Sequence, residues 1–494
     1  MNRQTVLSGL ILSAVTTAFC CLQFAPQADL DAGDKRILNE IRERNHLMED
    51  IEYLSDFIGP RLTGSPQLKA AEMWAVSAAR QYGLENVHLE AWQIAHSWQR
   101  GSAQAQIVKP VLRRMSIASA GWSPATNGSV LGNVVYVEAT DRNQLQAYRG
   151  KLKGSIVIYE KPAELMSQMP ASGPYSGPEI QDPVPPERRT SSEPRNFDKD
   201  RRSFFREQGV AAVLYDAGKH NGLLSVAYVA EDFDSREALP TAILTHEDYS
   251  LLWRLLQKER VEFAIDLSNS FSEAPVEVHN VVAEIRGAEK PDEVVILCAH
   301  LDSWDLGSGS TDDGTGVVAV LEAVRAIKAS GLRPKRTIRL VLFTGEEQGE
   351  MGSRAYVRQH QEELAKISGV LADDTGTSRI LTLRLHQNYS ARKTVDAALA
   401  PLADLGLIQP WMERYHGSDY ASFNDVGVPG FSLVGNQTDL DYGQTHHTQA
   451  DTFDKVTESG LVHHAQVLAG WAYNTAQLAE LLPRSWNKAG APSP

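Results

Sequence analysis

The residues of this sequence that could do chemistry lie in polar clusters that follow apolar runs. The clusters are His300 with Asp302, Asp312 with Asp313, Glu346 with Glu347, Asp373 with Asp374, and His446 with His447. A single surface carboxylate or histidine is usually only hydrated, but these clusters together offer many imidazole and carboxylate groups. That mixture is the ligand set of zinc and similar divalent ions. The sequence therefore predicts a metal centre that folding assembles from separate loops.

The number of donors favours two metal ions over one, because a single catalytic zinc uses three protein ligands. Carboxylates that converge without cations would raise one another's pKa, which makes a bare site costly. Two divalent ions about 3.5–4 Å apart remove that cost, and they can share one bridging carboxylate and a bridging water. The pattern thus predicts activation of a water molecule for hydrolysis.

The adjacent acids Glu346 and Glu347 suggest a division of roles. Neighbouring side chains on an extended turn point in different directions, so one can bind metal while the other faces the water and the substrate. Peptide hydrolysis needs such a general base beside a metal-bound water. The alternative is an acidic pair at a helix start, which the helix dipole favours. Asp302, in the pattern H-x-D, is expected to hold the ring nitrogen of His300 that the metal does not use.

Composition and motif searches exclude several other classes of protein. The chain has 62 acidic and 48 basic residues and a formal net charge of -14, which argues against a nucleic-acid partner. The sequence contains no G-x-S-x-G elbow and no G-x-x-x-x-G-K-[ST] loop. Cys298 would stand alone after removal of a signal, so no disulfide framework is expected, and its place in a strand favours a buried, unreactive thiol.

The elements that must position these clusters indicate an α/β fold. The strand-like runs HNVVAEIRG, EVVILCAH, RTIRLVLFTG, SGVLADD and PGFSLVG alternate with helical stretches such as GVVAVLEAVRAIKASG. Apolar strands separated by amphipathic helices predict a mixed, mainly parallel central sheet covered by helices on both faces. In such sheets, functional groups collect beyond the carboxyl ends of the strands, which is where the polar clusters stand.

The chain divides into several segments. Arg3 precedes an apolar run that ends near Leu22, which predicts a secretory signal, with a membrane anchor as the alternative. No later segment is apolar enough to span a membrane, so no span is expected after signal removal. Short β-branched strands such as GNVVYV and GSIVIY indicate a separate α/β or β-rich domain, which contains a proline-rich loop at 162–194. The expected division is a signal at 1–28, peptidase segments at 29–126 and 272–482, an inserted domain at 127–271 and a tail at 483–494.

The motifs themselves resemble those of a known family. HLDSWDLGSGSTDDGTG, TGEEQG, ADDTGT, GSDYASF and HHTQADT are similar to the co-catalytic zinc exopeptidases, which include aminopeptidase Y, the bacterial leucyl aminopeptidases and the carboxypeptidase Q type, the last being the most similar. The resemblance covers nearly the whole chain after the signal. It implies two Zn²⁺ ions per chain, a protease-associated domain as the insert, and a homodimer.

The resemblance also implies roles for individual residues. His300 and Asp374 would bind one zinc ion, Glu347 and His447 the other, and Asp312 would bridge them, often with a cis peptide bond to the next residue. Glu346 would be the general base, and Tyr415, three residues before Ser418, would help to stabilise the oxyanion. His447 is preferred to His446 because it begins H-T-x-x-D-T, and Asp374 is preferred to Asp373 because it directly precedes T-G-T.

These expectations define a secreted or periplasmic zinc exopeptidase that hydrolyses dipeptides or short peptides through a metal-bridging water. One alternative is an aminopeptidase that releases N-terminal residues from longer peptides. The other is a receptor-like binding protein without catalysis, since some proteins with this fold have lost the metal ligands. All five expected ligands and the base are present in this sequence.

Overall fold

A computed structural model describes residues 27–165, 195–226, 237–436 and 442–484. Most of the expected signal at 1–28, most of the proline-rich loop and the end of the tail lie outside these residues. Within the described ranges, none of the helices combines the length and the apolar character that a bilayer crossing requires.

The α-helices of the described residues vary widely in length. They are α1 (Gln27–Arg44), α2 (Leu47–Glu52), α3 (Pro66–Gln81), α4 (Arg142–Gln146), α5 (Arg195–Glu207), α6 (His246–Leu256), α7 (Thr315–Ala329), α8 (Met351–Gln359), α9 (Arg392–Leu399), α10 (Tyr420–Asn424), α11 (Tyr442–Thr445) and α12 (Glu458–Gln477). The N-terminus of α3 is capped by a side chain: Ser65 Oγ accepts a hydrogen bond of 3.1 Å from the N–H of Leu68.

The strands form two large sheets and one small one. They are β1 (Glu85–Ile94), β2 (Trp98–Gln99), β3 (Ala103–Lys109), β4 (Arg113–Met115), β5 (Ile117–Ser119), β6 (Val130–Tyr136), β7 (Ile156–Ile158), β8 (Ala212–Asp216), β9 (Thr241–Leu244), β10 (Glu262–Leu267), β11 (Ser270–Phe271), β12 (Val276–Ile285), β13 (Lys290–His300), β14 (Arg336–Phe343), β15 (Ile367–Ala372), β16 (Ile380–Arg384) and β17 (Gly430–Gly435).

The first sheet has the strand order β1-β12-β14-β13-β15-β17-β16. Its central strands β14, β13, β15 and β17 run parallel to one another. The flanking strands β1, β12 and β16 pair antiparallel with their neighbours. The sheet is therefore mixed, as the sequence predicts, but its parallel pairing is confined to the centre.

Helices cover both faces of this sheet. Along β13, Val295 and Leu297 pack in a core that includes residues of α7 and α12. The alternate residues Ile296 and Cys298 pack on the opposite face with residues of α8 and α10. A strand that buries both faces must be apolar throughout, which explains the continuous run VVILCA. Burial also raises the pKa of the Cys298 thiol well above its usual range, in agreement with the predicted unreactive thiol.

The second sheet has the strand order β4-β3-β10-β6-β7-β8-β9-β5. The expected boundary at residue 127 falls inside it, because β3, β4 and β5 already belong to this sheet. The alternating segment AQAQIVK of β3 pairs antiparallel with β10, more than a hundred residues later in the chain. Residues of α6 pack on one face of the sheet, and residues of α4 and α5 on the other. We call residues 98–271 the second module.

The chain enters and leaves the second module side by side, because β2 pairs antiparallel with β11. Near this junction, Arg100 forms two hydrogen bonds with the carboxylate of Asp305, of 2.9 and 2.6 Å. The ring of Trp122 lies 6.0 Å from that of Trp98 and 6.5 Å from that of Trp304, centroid to centroid. The junction therefore packs directly against the loop that follows β13.

Candidate metal centre

The parallel centre of the first sheet brings the polar clusters to one edge. His300, the last residue of β13, is in register with Phe343 at the end of β14, and Cys298 is in register with Ala372 at the end of β15. The loops that follow these strands therefore leave the sheet together. They carry Asp312, the pair at 346–347 and the pair at 373–374.

Asp312 lies between two histidines that come from distant parts of the chain. Its Oδ1 atom is 3.2 Å from Nε2 of His300, and its Oδ2 atom is 3.3 Å from Nε2 of His447. The peptide bond from Asp312 to Asp313 is cis. Each carboxylate oxygen of Asp312 thus faces a different imidazole, which is the arrangement that a bridging carboxylate requires.

Each of the two histidines also lies close to one further carboxylate, which defines two sides of the centre. Nε2 of His300 is 3.7 Å from Oδ1 of Asp374, and Nε2 of His447 is 2.9 Å from Oε2 of Glu347. One donor atom from each of His300, Asp312 and Asp374 can be chosen so that all lie within 4.8 Å of one another. The structure therefore brings together all five residues expected as metal ligands.

Two observations indicate that these residues fit a divalent cation centre. Asp312 Oδ2 and Glu347 Oε1 are buried, and neither has a hydrogen-bond partner within the described part of the chain. Burial raises the pKa of the Glu347 carboxyl well above its usual range, and the charge of Asp312 raises it further. Buried carboxylate oxygens that accept no hydrogen bond are costly, and nearby cations would compensate both effects.

The structure distinguishes the two neighbours in each of the pairs 373–374 and 446–447, only one of which is expected to bind metal. Asp373 turns away from the centre, and its Oδ2 atom lies 2.8 Å from Nδ1 of the buried His464. His446 stacks on His447 with ring centroids 3.6 Å apart, and its Nε2 atom is 3.8 Å from Oδ2 of Asp312. His447 contacts both carboxylates of its side at shorter distances, so it is the better placed candidate ligand.

Asp302 orients His300 through its backbone carbonyl group. The Nδ1 atom of His300 is 3.0 Å from the carbonyl oxygen of Asp302 and 3.8 Å from the carboxylate. The carboxylate instead accepts hydrogen bonds of 3.2 and 3.3 Å from the backbone N–H groups of Glu346 and Glu347. It also accepts one of 3.0 Å from the hydroxyl of Thr63. The Asp302 side chain thus positions the acidic pair, a role that the H-x-D spacing did not predict.

Glu346 is half-buried beside the centre. Burial raises the pKa of its carboxyl well above the usual range, and the carboxylates of Asp374 and Glu347 add to that rise. A general base next to a metal-bound water needs its pKa near the working pH, and a raised pKa moves a glutamate in that direction.

Comparisons with known proteins identify relatives of this chain. Residues 280–472 match the model of peptidase family M28. Carboxypeptidase Q of Mus musculus is 32% identical over 454 residues, which covers 90% of this chain and 88% of that protein. The chain belongs to peptidase family M28. It is accordingly a zinc-dependent metallo-exopeptidase, and its substrate is a peptide.

Two solved structures of other proteins have the same fold as this M28 peptidase. A peptidase M28 precursor from Shewanella amazonensis SB2B is 26% identical with a TM-score of 0.78, over 93% of this chain and 100% of that one. A zinc aminopeptidase from Bacillus subtilis has a TM-score of 0.60 at 16% identity, over 87% of this chain and 94% of that one. The second comparison supports the fold alone.

Two tyrosines of the M28 peptidase are candidates for the hydrogen-bond donor to the oxyanion. Tyr415 is 47% exposed, and with Arg414 and His416 it lines a cavity of about 190 Å³. Tyr442, which sequence reasoning missed, packs its ring 5.2 Å from that of His446. Its hydroxyl is buried and has no hydrogen-bond partner among the described residues.

Two further residues that sequence reasoning missed support the loop of Asp312. The carboxylate of Asp451 accepts hydrogen bonds from the N–H of Thr311, at 2.6 Å, and from the N–H of Asp312, at 3.2 Å. Burial and the charge of Asp312 raise the pKa of Asp451 to about 7. The buried Arg61 donates to the carbonyl groups of Leu301, at 2.7 Å, and of Gly309, at 2.7 Å. Asp451 lies within the motif HHTQADT, which could have identified it as a candidate. Arg61 belongs to no motif that could have done so.

Proposed function

We propose that this M28 peptidase is a two-zinc exopeptidase that cleaves dipeptides or short peptides. The observation that supports it best is the position of Asp312 between His300 and His447, at 3.2 and 3.3 Å. One zinc ion would be held by His300 and Asp374, the other by Glu347 and His447, with Asp312 shared between them.

When bound, the metal would supply Lewis-acid chemistry to the scissile carbonyl and to water. Glu346 would accept a proton from the water whose oxygen bonds to the carbonyl carbon, and would deliver it to the amine nitrogen as the C–N bond breaks. Its raised pKa suits both halves of this transfer. Asp302 would keep Glu346 and Glu347 in place through the backbone hydrogen bonds of 3.2 and 3.3 Å.

Two tyrosines are proposed as donors to the oxyanion. Tyr415 is proposed from the Y-x-x-S-D pattern, and its exposed ring lies beside the guanidinium of Arg384, 5.3 Å from ring centroid to Cζ. Tyr442 is proposed because its buried hydroxyl lacks a partner in the described residues. A buried donor without a partner costs free energy, so a partner supplied by the substrate would stabilise the complex.

The substrate is proposed to be a peptide cut at its C-terminal residue, as the name carboxypeptidase Q indicates for a relative with 32% identity. Removal of N-terminal residues from longer peptides is the second candidate, because the fold is shared with a protein named a zinc aminopeptidase. The two activities differ in which free terminus the enzyme requires.

A panel of dipeptides and tripeptides with blocked ends tests the proposal, together with the zinc content per chain. N-acetylated peptides should be cleaved and C-amidated ones should resist if the enzyme acts at the C-terminus. The reverse pattern would establish an aminopeptidase. Cleavage of both blocked series, or zinc content well below two per chain in active enzyme, would contradict the two-zinc exopeptidase.

Three further proposals concern the whole protein. Residues 1–28 are proposed to be a signal that directs the enzyme to the periplasm or out of the cell, which N-terminal sequencing of the exported protein would test. The second module is proposed to be a protease-associated domain, bounded by the β2–β11 pair rather than by residue 127. The enzyme is proposed to form a homodimer, which sedimentation would test.

A further inference from the structure

We propose that residues 219–226 of the second module, here the contact segment, hold His447 in its metal-binding position. The contact segment would thereby set the affinity of the Glu347–His447 side of the centre and leave the His300–Asp374 side unaffected. This inference rests on the proposed two-zinc function. It assigns a positioning role to Gln449, which lies outside the expected ligand set.

The contact segment pairs with the backbone on both sides of His447. The N–H of Val226 donates a hydrogen bond of 2.9 Å to the carbonyl oxygen of His447. Ser225 and Thr448 form an isolated antiparallel bridge. The ammonium group of Lys219 also donates to the carbonyl oxygen of Gly443. The second module therefore contacts the carbonyl of the candidate ligand residue itself.

Gln449 uses both ends of its side-chain amide on the contact segment. Its Oε1 atom accepts a hydrogen bond of 2.8 Å from the N–H of Leu224. Its Nε2 atom donates one of 3.2 Å to the carbonyl oxygen of Gly222. The amide of a glutamine has one acceptor and two donors, so it can pair with a backbone N–H and a backbone C=O two residues apart, as a neighbouring strand would. The contact therefore depends on the chemistry of this side chain.

The other end of the contact segment is fixed in the second module. The N–H of Gly222 donates to Oε1 of Glu247 on α6, at 3.2 Å. Just before the segment, the N–H of Gly218 donates to Oδ1 of Asp216 at the end of β8, at 3.0 Å. The other oxygen of Asp216, Oδ2, lies 2.9 Å from Nδ1 of His246. The segment thus links a sheet and a helix of the second module to the loop of His447.

His447 needs this external support more than the other candidate ligands do. Its φ angle is +60°, a left-handed conformation that residues other than glycine adopt infrequently and that surrounding contacts must maintain. The preceding helix α11 is only four residues long. His300, in contrast, ends the central strand β13, and Asp374 follows β15 by two residues. The central sheet therefore positions His300, Asp374 and Glu347, whereas His447 depends on the contacts from the second module.

Stepwise release of zinc from the full-length holoenzyme tests this asymmetry. Wild-type and Gln449→Ala proteins would be incubated with chelators of graded strength, and the zinc retained per chain would be measured by mass spectrometry. We expect one equivalent to be retained as in the wild type and the other to bind at least about tenfold more weakly, the size typical of lost supporting contacts around a metal. Thermal denaturation of the metal-free forms would measure the purely structural effect separately.

Two variants serve as controls. Gln359→Ala removes a comparable hydrogen bond, of 2.9 Å from Nε2 to the carbonyl oxygen of Ala91, and should leave both zinc affinities unchanged. Gln449→Glu keeps an oxygen that can accept from Leu224 but places its second carboxylate oxygen against the carbonyl oxygen of Gly222, so it should weaken the same zinc equivalent. This variant remains informative if the alanine variant does not fold.

The possible results are distinguishable. Equal zinc affinities in wild type and both Gln449 variants, or an equal loss from both zinc equivalents, would overturn the positioning role while the two-zinc function stands. A wild-type enzyme that is active with a single equivalent would refute the two-zinc function itself, and this inference with it.

Discussion

The carboxylate of Asp451 accepts a hydrogen bond of 3.2 Å from the backbone N–H of Asp312, the residue that lies between the two imidazoles. The same carboxylate holds the N–H and the hydroxyl of Thr311, at 2.6 and 2.8 Å. Asp451 therefore sets the path of the backbone that presents Asp312 to the centre.

Replacing Asp451 with asparagine should weaken zinc binding without removing a ligand. Asparagine keeps one acceptor oxygen, but its NH₂ group would face a backbone or hydroxyl donor. We expect both zinc equivalents to bind about 10- to 100-fold more weakly, because Asp312 is proposed to bind both ions. Zinc retention under graded chelators measures this. Weakening of one equivalent only would contradict the shared role of Asp312.

Glu346→Gln should abolish turnover while the enzyme keeps its zinc. The substitution preserves shape and removes the group that accepts the proton, so kcat should fall by about 10²–10⁴-fold. Steady-state kinetics on a dipeptide, with zinc analysis of the same sample, test this. Retained activity would show that another group is the base, and lost zinc would show that Glu346 binds metal.

Phenylalanine substitutions at Tyr415 and Tyr442 compare the two proposed oxyanion donors. The variant that removes the true donor should lose about 10²–10³-fold in kcat with little change in KM. Tyr442→Phe should also leave the melting temperature unchanged or raise it, because the hydroxyl it removes is buried without a partner in the described structure. Full activity in both variants would exclude the two tyrosines together.

Zinc should stabilise the enzyme more at high pH than at low pH. In the metal-free protein, burial raises the pKa values of Glu346 and Glu347 well above their usual range. A raised folded-state pKa gives stability that is present below the unfolded value, about 4.5, and is lost as pH rises. The melting temperature of the metal-free enzyme should therefore fall as the pH rises above about 4.5, the ordinary pKa of a glutamate. Calorimetry would measure the melting temperatures of zinc-loaded and metal-free enzyme. A difference between them that does not grow with pH would contradict this account.

The sequence predicted the central sheet and its polar edge because both depend on local patterns. Continuous apolar runs such as VVILCA identify strands that are buried on both faces, and chain direction then puts His300 and Asp374 at the same edge. The membership of β3 in the second sheet was not predictable in this way. Its partner β10 lies more than a hundred residues later, and alternation in AQAQIVK indicates a strand without indicating which sheet it joins.

Roles that depend on side-chain orientation were harder to predict. The pattern H-x-D places Asp302 near His300, but whether the carbonyl or the carboxylate faces the ring depends on the path of the backbone. Tyr442 belongs to no motif, and only its burial beside His446 makes it a candidate. The motif H-T-x-x-D-T favoured His447 over its neighbour His446, and the three-dimensional contacts add the shorter distances of His447 to Asp312 and Glu347.

The row of indole rings at the junction ends at the candidate metal centre, because the ring of Trp304 lies 6.2 Å from that of His447. An indole so close to an imidazole responds in its fluorescence emission to the charge and the position of that ring. Zinc binding to His447, as proposed above, is therefore expected to change the emission of Trp304, one of the nine tryptophans of the chain.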